Sequence, residues 1–361
     1  MVCWTSWRRG FARWRRPDGA GKAAGADNAA HHGNRALSTA PLKEFELIHR
    51  FFDGVGPWRD DVRLGVGDDC ALLRVPAGKE LAVTIDTLVE GVHFHQGADP
   101  ESLGHKALAV NLSDLAAMGA EPAWATLALT LPGADPHWLA AFSRGFSRLA
   151  AAYHVQLVGG DTTRGPLTIS VQAHGFVTAG RALRRDGARP GDLVYVTGTL
   201  GDAGLALRGI EDIPAPAGCL PYLQSRLQRP SPRLGEGRAL AGLAGAAIDI
   251  SDGLISDLGH ICEASGLGAR LELERLPRSP AGQAWLDETG DWSLLLSSGD
   301  DYELCVTVPP GRQPEVERLA AGFECGLTRI GVMEPRPGIR CLRADGTELE
   351  KPSRGYEHFS S

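Results

Sequence analysis

The chain has no apolar run near the roughly 20 residues that a membrane-spanning helix requires, so no transmembrane helix is expected. Cysteines are few: seven (Cys3, Cys70, Cys219, Cys262, Cys305, Cys325, Cys341), odd in number and never in a C-x-x-C pair. That pattern argues against a disulfide framework and against a zinc site. They read as reduced thiols of a cytoplasmic protein, with Cys70 and Cys305 in apolar strand-like runs and therefore in the core. Several nucleotide and hydrolase signatures are also missing: G-x-x-x-x-G-K-[ST], the H-R-D and D-F-G pair, a G-x-G-x-x-G opening a helix after a strand, and G-x-S-x-G. Any nucleotide would be bound by a different scaffold.

What is present is an ordinary globular balance, 43% hydrophobic and 22% charged over 361 residues, at a length where one core usually divides into two domains. The net charge of −7 is uneven. The first 41 residues carry seven Lys/Arg against two Asp/Glu, or +5, which leaves −12 on the remainder. An acidic body repels nucleic-acid phosphates and suits a protein that collects cations. The leader is Arg-rich and acid-poor like a transit peptide, but it has few serines and no amphipathic stripe. No apolar stretch follows its arginines as a twin-Arg export signal requires. Residues 1–41 are expected to be a disordered or non-native extension.

Past the leader, Glu44–Phe52 has the spacing of a short amphipathic helix, and strand-like runs follow at 70–75 and 81–88. Helical patterns over 101–118 and 136–153 alternate with strands at 124–131, 155–159 and 167–177, which indicates an α/β arrangement with helices packed on a sheet. Arg189-Pro190-Gly191-Asp192 punctuates the chain. The domain boundary falls ahead of the strand that follows, giving residues 42–180 and 181–361. The second half has helices at 232–244 and 253–264, strands at 193–198, 246–250, 268–274 and 302–308, then a helix and a short β region.

The chemistry-bearing residues are carboxylates at element junctions. Asp68 and Asp69 follow a glycine turn. Asp86 follows Leu81–Ile85 at the end of an apolar strand, where ligands sit in open sheets. Asp114 lies in the helix Lys106–Gly119, which is apolar almost all round and so buried. A buried carboxylate needs a cation: Lys106, an arginine from elsewhere, or a metal ion. In Val158–Gly165 a strand runs into two glycines, Asp161, two threonines and Arg164, a set suited to phosphate and metal. Ile248–His260 places Asp249 on the strand side of a corner at which Ser251 or Asp252 caps a helix. At least five acids at such positions, with no matching His or Cys, form the hard oxygen set that magnesium shares with substrate phosphates.

The runs GDDCALL (67–73), DTLVEGVHF (86–94), KALAVNLSDLAAMGAEPAW (106–124), GGDTTRGPL (159–167), AIDISDGLISDLGHI (247–261), SSGDDYELC (297–305) and RGYEHF (354–359) together resemble the thiamine-monophosphate kinases, in the family's order across residues 42–361. The resemblance implies a two-domain aminoimidazole ribonucleotide synthetase-like fold. Residues 42–180 would form an ATP- and magnesium-binding domain that makes a homodimer through its sheet, and 181–361 a C-terminal α+β domain. It implies direct in-line transfer from ATP to thiamine monophosphate, with several Mg2+ ions and no nucleic-acid or membrane partner. By motif, Asp69, Thr84, Ile85, Asp86, Asp114, Asp161, Asp249 and Asp252 would hold magnesium. Gly160, Asp161, Arg185 and Ser251 would contact nucleotide, and His93, Asp300 and Tyr356 the thiamine phosphate. No residue is expected to act as general base, because the acceptor phosphate is already ionised. Ile85 stands where a hydroxyl residue is usual and could offer only its carbonyl; Asp300 stands where glutamate is usual. A selenophosphate-synthetase-like relative would carry a reactive Cys in a glycine-rich N-terminal loop, and Cys3 lies in an unrelated leader.

Overall fold

The computed structural model describes residues 44–209, 218–350 and 355. The expectations for residues 1–41 and for Tyr356 lie outside them. The elements in chain order are α1 Glu44–Phe51, β1 Val62–Leu64, β2 Leu72–Leu73, β3 Lys79–Val89, α2 Pro100–Ala117, β4 Glu121–Leu131, α3 Pro136–Ala152, β5 Gln156–Arg164 and β6 Thr168–Thr178. There follow β7 Leu193–Thr197, α4 Asp202–Arg208, α5 Cys219–Gln228, α6 Leu234–Leu240, β8 Ala246–Ile250, α7 Leu254–Ser265, β9 Gly268–Glu272, α8 Pro280–Thr289, α9 Ser293–Ser297, β10 Glu303–Val308, α10 Gln313–Ala320, β11 Leu327–Glu334 and β12 Gly338–Leu342. No helix among the described residues is long and apolar enough to cross a membrane.

Two sheets organise the chain. The first has the order β3-β6-β4-β5 and the second β12-β9-β11-β7-β10-β8, the α/β content expected from the alternating patterns. Helix α2 lies between them, contacting β3, β4 and β6 of one and β8 and β10 of the other. That is why its sequence is apolar on every side: 14 of its 18 residues are buried. A single core therefore runs from Leu108, Leu112 and Leu115 of α2 to Val171 on β6 and to Leu193, Leu304 and Val306 of the second sheet. Both α2 and α3 begin with Asp-Pro. The Asp99 side chain accepts from the Ser102 amide and Asp135 from that of His137, while proline supplies a first-turn φ at no hydrogen-bond loss.

Three local expectations are corrected. The strand at 70–75 shrinks to Leu72–Leu73, and Cys70 lies exposed in the preceding turn rather than in the core; a two-residue strand covers too little to bury its flank. Cys305, by contrast, is fully buried on β10. Strand β5 does not stop at Gly159 but continues to Arg164, paired in parallel along β4. Asp86 is inside β3, not at its end, because pairing with β6 extends to Val89.

Candidate active site

Strand alternation puts Thr84, Asp86 and Leu88 of β3 on the face covered by α2, while Leu81, Val83 and Ile85 point the other way and are 43%, 50% and 61% exposed. The Thr84 hydroxyl donates to the Asp114 carboxylate across this interface. One residue earlier on α2, Ser113 Oγ donates to Asp249 Oδ2 at 2.7 Å, tying the first sheet's helix to β8 of the second.

Asp86, Asp114 and Asp249 are thus gathered from three elements, and their charges act on one another. Burial, then the Asp114 charge, pushes Asp86 up to about 7. Burial raises Asp114 too, against the pull of the Thr84 hydroxyl and the Arg185 guanidinium. Asp249, 4% exposed, is raised well above the usual carboxylate range by burial, with Asp114, Asp257 and Asp86 adding repulsion. Like charges in a low dielectric are held only at a price unless a cation joins them.

The other expected residues are placed as follows. Asp300 accepts from Lys106 Nζ at 3.1 Å and from the Tyr302 hydroxyl at 3.0 Å. Lys106 therefore pairs with Asp300, and it is Arg185 whose charge reaches Asp114. Ser251 and Asp252 lie at the β8–α7 corner, where Ser251 O accepts from the Asp300 amide at 2.8 Å. The helix cap is not either of these side chains but Asp257, whose carboxylate accepts from the amides of Asp252 and Gly253 at 3.1 Å. Gly355 packs on the same corner so tightly that a Cβ there would come within 1.8 Å of Asp252 O. His93 Nδ1 accepts from the Val89 amide at 3.0 Å.

Two expected ligands are exposed, unlike Asp86, Asp114 and Asp249. Asp69 is exposed in the turn before β2, its amide bonded to Asp68. Asp161 is exposed on β5, next to Gly160, which pairs with Leu127 of β4. Ile85 turns its side chain away from the acids. Among the described residues no three His, Cys, Asp or Glu side chains form a ready-made metal cage. The set instead suits magnesium in its usual mode, one or two carboxylates supplemented by water and substrate phosphates. It is oxygen-only, mutually repulsive, and accompanied by the buried, unpartnered Oδ1 of Asn111 one helical turn before Asp114. Sequence reasoning missed Ser113, Tyr302 and Asp257. Asp257 could have been found, since it lies in the first turn of α7, five residues after Asp252; nothing local marks Ser113 or Tyr302.

Residues 67–177 match the family model for the AIR synthase related protein N-terminal domain and residues 189–342 that for the C-terminal domain. A thiamine-monophosphate kinase of Salmonella typhimurium (strain LT2) is 50% identical over 326 residues, covering 88% of this chain and 98% of its own. The crystal structure of the thiamine-monophosphate kinase from Stenotrophomonas maltophilia K279a superposes with a TM-score of 0.73 at 45% identity, covering 81% of this chain and 93% of that one. The AaThiL complex with AMPPCP and TMP gives a TM-score of 0.68 at 34% identity, with coverage of 79% and 89%.

Proposed function

The chain belongs to the thiamine-monophosphate kinase family, and from that premise we infer that it transfers the terminal phosphoryl group of ATP to thiamine monophosphate, giving ADP and thiamine diphosphate. The observation that carries this reading is the convergence of Asp86, Asp114 and Asp249, from β3, α2 and β8, into one repulsive group. Support also comes from the AaThiL complex, which holds an ATP analogue together with TMP.

Phosphoryl transfer asks a protein for alignment and charge neutralisation more than for covalent chemistry. We assign magnesium to Asp86, Asp114 and Asp249, with Thr84 and Asp252 beside them; Asp69 and Asp161 would join from the turn before β2 and from β5. Bound there, it would offset the charge of the two phosphate groups. The Thr84 and Ser113 hydroxyls hold two of the carboxylates in place. Arg185 and Ser251, with Gly160 and Asp161, are assigned to the nucleotide, and His93, Asp300 and Tyr356 to the thiamine phosphate. The acceptor oxygen is ionised at neutral pH, so no base is needed and attack is in line.

We assign residues 42–180 and 181–361 as the two domains. A homodimer is proposed through β3, an edge strand whose outer face shows Leu81, Val83 and Ile85 to solvent. Ile85→Glu is expected to elute as a monomer by light-scattering chromatography; an unchanged mass would refute that face. The six described cysteines are free thiols, which supports the cytoplasm as its compartment. The reaction is tested by incubating pure protein with ATP, magnesium and thiamine monophosphate. Thiamine diphosphate in the chromatogram is expected, and binding of both substrates without turnover would turn the reading to a non-catalytic binder.

A further inference from the structure

The turn Gly299–Tyr302 has an unusual backbone. Asp300 (φ 66°) and Tyr302 (φ 50°) both occupy the left-handed region, which an aromatic residue adopts only where its surroundings over-determine it. Asp300 and Tyr302 turn toward the acids of the site, and the Asp86 and Asp249 charges reach the Tyr302 hydroxyl. Asp301 and Glu303 turn the other way, into a second network outside the acids of the site.

In that network the buried Glu303 carboxylate takes Nε and an NH2 of Arg233 at 2.6 and 2.5 Å, an NH2 of Arg226 at 2.7 Å, and the Thr197 hydroxyl at 2.7 Å. Arg226 also donates to the Asp301 carbonyl at 3.3 Å, and both Asp301 oxygens accept from the Gly201 amide at 3.0 Å. The seat is cut to fit. Gly198 has φ 58°, and a Cβ there would stand 2.1 Å from Glu303 Oε1. Arg229, between the two arginines in sequence, reaches the start of α2 instead: it donates to Ser102 Oγ at 3.0 Å and lies 3.6 Å from Asp99 and 3.7 Å from Glu101. Residues 226–233 therefore hold the turn with one hand and, with the other, the helix that carries Lys106, Ser113 and Asp114.

We propose that Arg226, Arg229 and Arg233 are positioning residues for the transfer, fixing the Gly299–Tyr302 turn against α2 so that the Lys106–Asp300 pair and the acceptor phosphate keep their place relative to Asp114. The proposal rests on the phosphoryl-transfer reading of the site. Arg233 forked onto the Glu303 carboxylate, with a single bond from Arg226 beside it, defines an orientation that a point charge does not. Loosening them frees the turn to leave its strained conformation, and the acceptor, held by that turn, suffers before the nucleotide does.

The test uses the full-length chain as Arg233→Met, Arg233→Lys and Arg229→Met, with ATP and thiamine monophosphate varied separately. Arg233→Met is expected to raise KM for thiamine monophosphate by about tenfold or more, with KM for ATP within about twofold, and Arg233→Lys to recover part of the loss. Amide hydrogen exchange in 299–304, measured without substrates, is expected to quicken by roughly tenfold while β4 keeps its protection. Arg229 is half-exposed, so Arg229→Met folds and gives a smaller rise of about threefold in the same KM. Variants that melt lower yet keep both KM values and the turn's exchange rate, or that raise both KM values equally, would show a brace for the fold and overturn the proposal. Wild-type turnover is the separate control: its absence sinks the kinase reading, while the exchange measurement judges the clamp on its own.

Discussion

This protein holds two groups of three acids, one wholly buried and one in which only Asp249 is fully buried, and they are treated differently. Asp202, Asp301 and Glu303 are at most 2% exposed and are met by Arg226, Arg233, the Gly201 amide, and the hydroxyls of Thr199, Tyr222 and Ser279. Asp86, Asp114 and Asp249 receive the hydroxyls of Thr84 and Ser113 and the charge of one exposed arginine. Burial raises Asp301 well above the usual carboxylate range, and Asp202 and Glu303 add repulsion, against the pull of the Gly201 amide and the Arg226 guanidinium. Acids supplied with donors complete a fold. Acids left to repel one another mark a place where a cation and a charged substrate are to be added.

The sharpest way to break this contrast is to neutralise one acid of each group. Asp114→Asn or Asp249→Asn is expected to lower turnover by at least about a thousandfold, on the scale of lost charge stabilisation at the transferring group, with an unchanged circular dichroism spectrum. Full activity in both variants would remove them from the site. Glu303→Ala should do the opposite kind of damage, taking from the largely buried Arg226 and Arg233 their shared carboxylate at a cost of about 3–5 kcal/mol in urea unfolding; a loss under about 1 kcal/mol would show the second network to be dispensable.

Magnesium sharpens the comparison further. At a hundredfold excess over its dissociation constant it should stabilise the wild type by about 2.7 kcal/mol, read as a raised melting temperature, and stabilise Asp249→Asn far less. Without the metal that variant is expected to melt above the wild type, since it removes repulsion that the Ser113 hydroxyl offsets only in part. A metal response identical in both proteins would place the ion elsewhere. The smallest effect is expected at Asp69, exposed and outside the group: Asp69→Asn should reduce turnover by about tenfold, and a loss equal to that of Asp114→Asn would show the turn closing fully onto the site.

Much of this was legible along the chain. Helix α2 could be recognised because a helix apolar on every side has to be covered on every side, and two sheets cover it. The Asp-Pro starts of α2 and α3 and the strands β3, β4, β6 and β8 follow from short-range patterning in the same way. The residues 159–164 were harder: two glycines look like a turn, yet β4 supplies a partner for every residue and they become strand. Four helices, α4, α5, α8 and α9, also went unexpected: the first three carry glycine or proline, and α9 is only five residues long.

The sequence by itself determined which residues are acidic, which stretches are apolar, and which face of β3 each side chain takes, because alternation and helical spacing act over a few residues. Only the tertiary structure decided that Asp86, Asp114 and Asp249 meet while Asp69 and Asp161 stay exposed, and that Lys106 answers Asp300 rather than Asp114. It alone seated Glu303 between two arginines. Those outcomes depend on contacts such as Ser113 to Asp249, 136 residues apart, and electrostatic interaction is set by distance through space, on which separation along the chain has no bearing.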